Sequence, residues 1–71
     1  MNYIVIEIQA NQDGTVGNVV TSYGTRAEAE SHYHSVLAAA AVSHVMKHSA
    51  VVMDDEGAVL GSMCYRHYEE G

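Results

Sequence analysis

Proline, tryptophan and phenylalanine are absent from this 71-residue chain, and cysteine occurs once. Without proline or any low-complexity tract there is no sign of a linker, and the length alone implies one domain spanning residues 1–71. The single thiol, Cys64, excludes an intramolecular disulfide framework and suits a reducing, cytoplasmic setting better than secretion. Basic side chains are equally scarce: Arg26, Lys47 and Arg66 stand against nine acids, for a net charge of −6. Nucleic-acid affinity comes from lysines and arginines that neutralise phosphates. Three scattered bases are too few, so no direct nucleic-acid binding is expected. The acidity is compatible with a basic protein partner, and equally with solubility alone. The longest apolar run is seven residues, 36–42. A bilayer span needs about 20, so no membrane segment is expected. The opening MNYIVIEIQ has no basic stretch before its apolar residues and does not read as a secretory leader.

A domain below roughly 70–80 residues has a marginal core and usually needs a staple. With disulfides excluded, the candidates are a metal, a second subunit or very good packing.

What is present divides into hairpin, helix, hairpin. Residues 3–9 alternate, with Ile4, Ile6 and Ile8 on one side and Tyr3, Val5, Glu7 and Gln9 on the other. Asn11-Gln12-Asp13-Gly14 supplies turn chemistry, and residues 15–23 form the return strand. Gly17 within it suggests a bulge or an edge position. Thr25-Arg26-Ala27-Glu28 is a capping box, each side chain expected to satisfy the other's backbone N–H. The helix should run over residues 26–43. Ala29, Tyr33, Val36, Leu37 and Ala40 make its apolar stripe, expected to cover the isoleucines of the first strand. Residues 49–53 read as a buried strand, Asp54-Asp55-Glu56-Gly57 as a second turn, and residues 58–68 as the last strand. In that strand Val59, Met63 and Tyr65 are expected on one face and Leu60, Cys64 and Tyr68 on the other. The expected fold is α+β: β-β-α-β-β, a four-stranded antiparallel sheet in the order 2-1-3-4 with one helix packed on one face.

Two surfaces stand out as candidate contacts. Ser31, Ser35, Ala38 and Val42 repeat along the outer helix face, where charged residues are the norm. Their small size either admits another helix or reflects helix propensity alone. On the sheet side away from the helix, Tyr3, Val5 and Tyr65 would form an apolar patch that a second subunit could cover.

Five histidines raise the question of a metal. His44-x3-His48 with Cys64-x2-His67 supplies four nitrogen and sulfur donors as a zinc alternative. Against it, the usual Cys-x2-Cys is missing, and Cys64 and His67 sit at an odd offset on a strand. The imidazoles are therefore expected to be mostly exposed or half-exposed, with His32 flanking the core stripe, and no bound cofactor is expected. Cys64 reads as packing rather than a nucleophile, and the glycines fall singly at turns, so no phosphate-binding loop is present.

The segments EIQANQDGTVG, YHSVLAAAAVS and HSAVV resemble small uncharacterised proteins of gut-type Firmicutes and their mobile elements. That likeness implies a bacterial cytoplasmic protein with no catalytic residues to carry over. Asp13-Gly14 followed by Thr25-Arg26-Ala27-Glu28-Ala29 is also similar in layout to HicB-type antitoxins. The chain departs from them in lacking a proline-rich motif between strand and helix and in having no following DNA-binding segment. Together these readings predict a noncatalytic, homo-oligomeric interaction module, most simply a homodimer. The alternative is an acidic, antitoxin-like inhibitor that covers a basic protein surface.

Overall fold

Alternating β-branched residues build β1 (Tyr3–Ala10) and β2 (Val16–Tyr23). The α-helix α1 (Arg26–Ala41) follows, then β3 (Lys47–Asp54) and β4 (Val59–Arg66). This computed structural model describes residues 1–67, so the places expected for Tyr68 and for the tail after it lie outside the described residues. The strands form one antiparallel sheet in the order β2-β1-β3-β4, with the two most buried strands central. The expected α+β architecture and strand order are those observed.

Both hairpin turns use one carboxylate and one glycine. Asp13 Oδ1 accepts from the Thr15 N–H at 2.9 Å, and Gly14 takes a φ of 91°. Asp54 Oδ1 accepts from the N–H groups of Glu56 and Ala58, both at 2.9 Å, and Gly57 takes a φ of 88°. A side chain at either glycine would be strained in this left-handed region.

The helix begins where Thr25 Oγ1 accepts from the Glu28 N–H at 3.2 Å. The expected box is only half formed. The Glu28 carboxylate takes the Thr25 hydroxyl proton at 2.9 Å instead of the backbone N–H. The helix ends at Ala41, two residues short of expectation: Val42 leaves helical geometry, and Ser43 Oγ accepts from the Val45 N–H at 3.0 Å. Local side-chain bonding of this kind competes with helix continuation.

The buried stripe of α1 is Ala29, Tyr33, Val36, Leu37 and Ala40, as the spacing predicts. The sheet face it covers is the other one. Val5, Ala50 and Val52 form the core with the helix, and Tyr3, Tyr23, Leu60 and Tyr65 pack around them. Val5 is 1% exposed. Tyr3, Val5 and Tyr65 therefore do not form an open patch; they lie beneath and beside the helix. Alanine explains the close fit. Ala29, Ala40 and Ala50 are all fully buried, so helix and sheet approach closely where the side chains are small.

The last strand also differs from strict alternation. A register shift between Val52 and Met53 sets Gly61 opposite Val52 and Val59 opposite Met53. This bulge turns Leu60 into the core and leaves Val59 exposed, so Val59 does not share a face with Met63 and Tyr65. Gly61 leaves room for Tyr33: a Cβ there would lie 3.5 Å from the Tyr33 hydroxyl oxygen.

Truncation at the centre of this core tests the helix placement. Val5→Ala removes two buried methyl groups and is expected to lower the unfolding free energy by about 2 kcal/mol. The change should appear as a lower urea midpoint with an unchanged slope, and an unchanged midpoint would contradict the covering of Val5.

Candidate interaction surface

Pairing register assigns every strand residue to a face, because residues opposite one another in an antiparallel ladder project to the same side. Ile4, Ile6, Ile8 and Ala10 pair with Met53, Val51, Ser49 and Lys47, and on the other flank with Ser22, Val20, Asn18 and Val16. Ser62, Cys64 and Arg66 continue the same side through Val51, Ser49 and Lys47. This is the face opposite the helix, and its middle is isoleucine, valine and methionine. Ile4, Ile6, Ile8, Val51 and Met53 are half-buried by one another, while Val20 and Val59 are 60% and 57% exposed. Ser49, Ser62 and Cys64 leave a hollow between β3 and β4.

No carboxylate lies on this face among the described residues. The acids sit on the helix side (Glu7, Asp54), in the turns (Asp13, Asp55, Glu56) and on the helix (Glu28, Glu30). Two of the three bases, Lys47 and Arg66, are direct cross-strand partners at one end of the apolar face. Like charges so placed repel unless an anion meets them. Among the other expected contacts, Ser31, Ser35, Ala38 and Val42 are all exposed on the outer helix face.

The histidines are dispersed among separate tasks. His48 is buried on the helix side of β3, where Nε2 lies 2.6 Å from Glu7 Oε2. A carboxylate can only accept, so Nε2 carries the proton; Nδ1 is buried and makes no hydrogen bond. His67 Nε2 donates to the Ala40 carbonyl at 2.7 Å, which also accepts from the Ser43 N–H at 3.2 Å, and its ring stacks on Tyr65. His32 Nδ1 shares a hydrogen bond with the Tyr23 hydroxyl and ties the helix to β2. His34 and His44 are exposed. His32 and His67 are half-buried, so four of the five imidazoles are exposed or half-exposed as expected; His48 is the exception, and its burial on the helix side of β3 follows from the reversed sheet face. The four residues of the zinc alternative, His44, His48, Cys64 and His67, are not brought together. His48 faces the helix, Cys64 faces away from it, His67 closes the helix end and His44 lies in the connector. No group of three potential ligands converges among the described residues.

Sequence reasoning missed the Glu7–His48 pair. Its signal was the polar pair Glu7 and Gln9 on the face that the helix covers, in a corner the helix does not reach. That corner is a cleft of about 200 Å³ lined by Glu7, Gln9, Gly17, Asn18 and Val19. Gln9 Nε2 also donates to Glu7 Oε2, at 3.2 Å.

The His48 hydrogen bond holds the Glu7 carboxyl below the ordinary glutamate range, against the opposing effect of burial, with help from Gln9. A carboxyl whose folded pKa is depressed adds stability above its unfolded value, and that stability drains as pH falls through the folded value. Urea midpoints should therefore fall as the pH drops below about 4.5. Glu7→Gln should flatten that fall and lower the midpoint at pH 7; an equally steep fall in the variant would remove Glu7 from the account.

No helix among the described residues is long and apolar enough to cross a membrane. Comparison with models of known families, with characterised proteins and with solved structures finds no match.

Proposed function

We propose that this chain is a noncatalytic interaction module that works as a homodimer through the isoleucine face of its sheet. The supporting observation is that face itself: its centre is apolar and lacks carboxylates, and the one helix lies on the opposite side. Four strands about 4.8 Å apart and eight residues long at about 3.3 Å each cover roughly 500 Å². Two such faces together remove about 1,000 Å², the lower bound for a specific protein interface. A second copy presents the same flat apolar surface, so a two-fold contact is self-complementary. Face-to-face sheets would also supply the staple that a chain of this size needs.

The corrected location matters. Tyr3, Val5 and Tyr65 stabilise the subunit, whereas Ile4, Ile6, Ile8, Val20 and Val51 make the contact. The helix stripe of Ser31, Ser35, Ala38 and Val42 is left to solvent, its alanine there for helix propensity. The rival reading, an acidic inhibitor that covers a basic surface, has less support, because the described acids, though five lie toward one end of the sheet, are absent from the face that the helix leaves open. A bacterial cytoplasmic location is part of the same proposal, with Cys64 reduced at the interface.

Light scattering on the purified chain is expected to give twice the 7.7 kDa chain mass at micromolar concentration. Ile6→Asp, which places a charge at the centre of the face, should give the single-chain mass with its helix signal retained. Ser35→Glu, on the helix stripe, should leave the dimer intact. A monomeric parent chain, or a dimer lost in Ser35→Glu and kept in Ile6→Asp, would overturn the reading.

A further inference from the structure

We propose that the two copies stack with their strands reversed, so that Lys47 and Arg66 of each meet the acidic β3–β4 turn of the other. The proposal rests on the isoleucine-face dimer and adds its orientation. Two half-turns can bring the faces together. One axis runs along the strands and sets β1 over β3 of the second copy, and β2 over its β4. The other crosses the strands and sets each strand over its own counterpart, running the opposite way.

Charge distinguishes them. Tyr3 pairs with both Tyr23 and Asp54, which puts the helix start and the β3–β4 turn at one end of the sheet. Asp54, Asp55, Glu56, Glu28 and Glu30 gather toward that end, with only Arg26 among the bases. Lys47 and Arg66 occupy the other end, paired with one another on the apolar face. Among the described residues the sheet is thus acidic at one end and carries two bases at the edge of its contact face at the other. The axis across the strands carries each Lys47–Arg66 pair onto the Asp54-Asp55-Glu56 turn of the second copy. It also lays Ile4, Ile6 and Ile8 over Ile8, Ile6 and Ile4. The axis along the strands carries the bases onto the β1–β2 turn instead. That turn offers one carboxylate, Asp13, where the β3–β4 turn offers three. Asp13 Oδ1 is engaged by Thr15, as Asp55 Oδ2 is by the Asn2 N–H at 2.9 Å, so the number of charges and not their freedom separates the two axes. In the reversed arrangement the repulsion within the Lys47–Arg66 pair of each copy is relieved, one pair at each end of the dimer.

Two charge-reversed chains test this, with Asp54 left intact because its carboxylate holds the turn. At low ionic strength, K47E/R66E alone and D55K/E56K alone should each dimerise at least about tenfold more weakly than the parent chain. Mixed together they should form a heterodimer near parental affinity, because both ends of the mixed dimer then pair opposite charges. Circular dichroism reports whether each variant folds. If either does not, the milder K47Q and E56Q take their place, each with a reduced salt dependence of dimerisation. Variants that dimerise like the parent, or a mixture with no preference for the heterodimer, overturn the orientation while leaving the isoleucine face in place. Restoration by Asp13→Lys rather than by D55K/E56K would point to the other axis. A parent chain that is monomeric removes the isoleucine-face reading itself.

Discussion

One helix covers one face of a four-stranded sheet, and in this chain both faces are apolar. Everything else in the molecule follows from how that shortage of cover is met. The helix side is closed by small residues: Ala29 and Ala40 from the helix and Ala50 from β3 allow close approach, and Val5, Val52 and Tyr33 fill the space between. The opposite side keeps Ile4, Ile6 and Ile8 with Val20, Val51 and Met53, shielded only by one another. Burial is the dominant favourable term in folding, and the unpaired face is the ground of the proposed dimer.

The polar groups are arranged around the same division. Beyond the reach of the helix, the corner of the covered face holds Glu7 and Gln9, with His48 turning its Nε2–H onto Glu7. His67 serves the helix C-terminus, where the last turn has no basic residue of its own. His32 holds the other end of the helix to Tyr23. Two imidazoles, His32 and His67, thus fasten the helix to β2 and to the end of β4, His48 ties β3 to β1 within the sheet, and His34 and His44 are exposed. Cys64 lies on the opposite face from the Glu7–His48 pair, so the thiol and that pair do not form one site.

The strands, the turns, the helix stripe and the order 2-1-3-4 were legible in the residues, because each rests on local chemistry: alternation, Asp-Gly, a Thr cap and 3.6-residue periodicity. The choice of sheet face was not. By apolar content the isoleucines outrank Tyr3 and Val5, and Glu7 and Gln9 argue against the latter face. Apolar content does not decide the side. The handedness of a crossover from β2 through the helix to β3 does, and the pleat of β1 then determines that Val5 points there. A hint lay in β3, where the face with Ala50 and Val52 supplies an alanine at its centre, whereas the other face carries Val51 there, flanked by Ser49 and Met53. The bulge at Leu60 was likewise hidden, since Gly61 reads equally as an ordinary strand glycine. The choice of face moved the expected contact surface from one side of the sheet to the other, and the bulge moved Val59 and Leu60.

The central claim is that a second copy covers the isoleucines, and isotope-filtered NMR on a mixture of labelled and unlabelled chains reads this most directly. The account predicts nuclear Overhauser contacts between copies from the methyl groups of Ile4, Ile6 and Ile8, and none from Ala38 or Val42. Contacts between copies confined to the helix methyls, or none at all at concentrations where the chain is abundant, would contradict it.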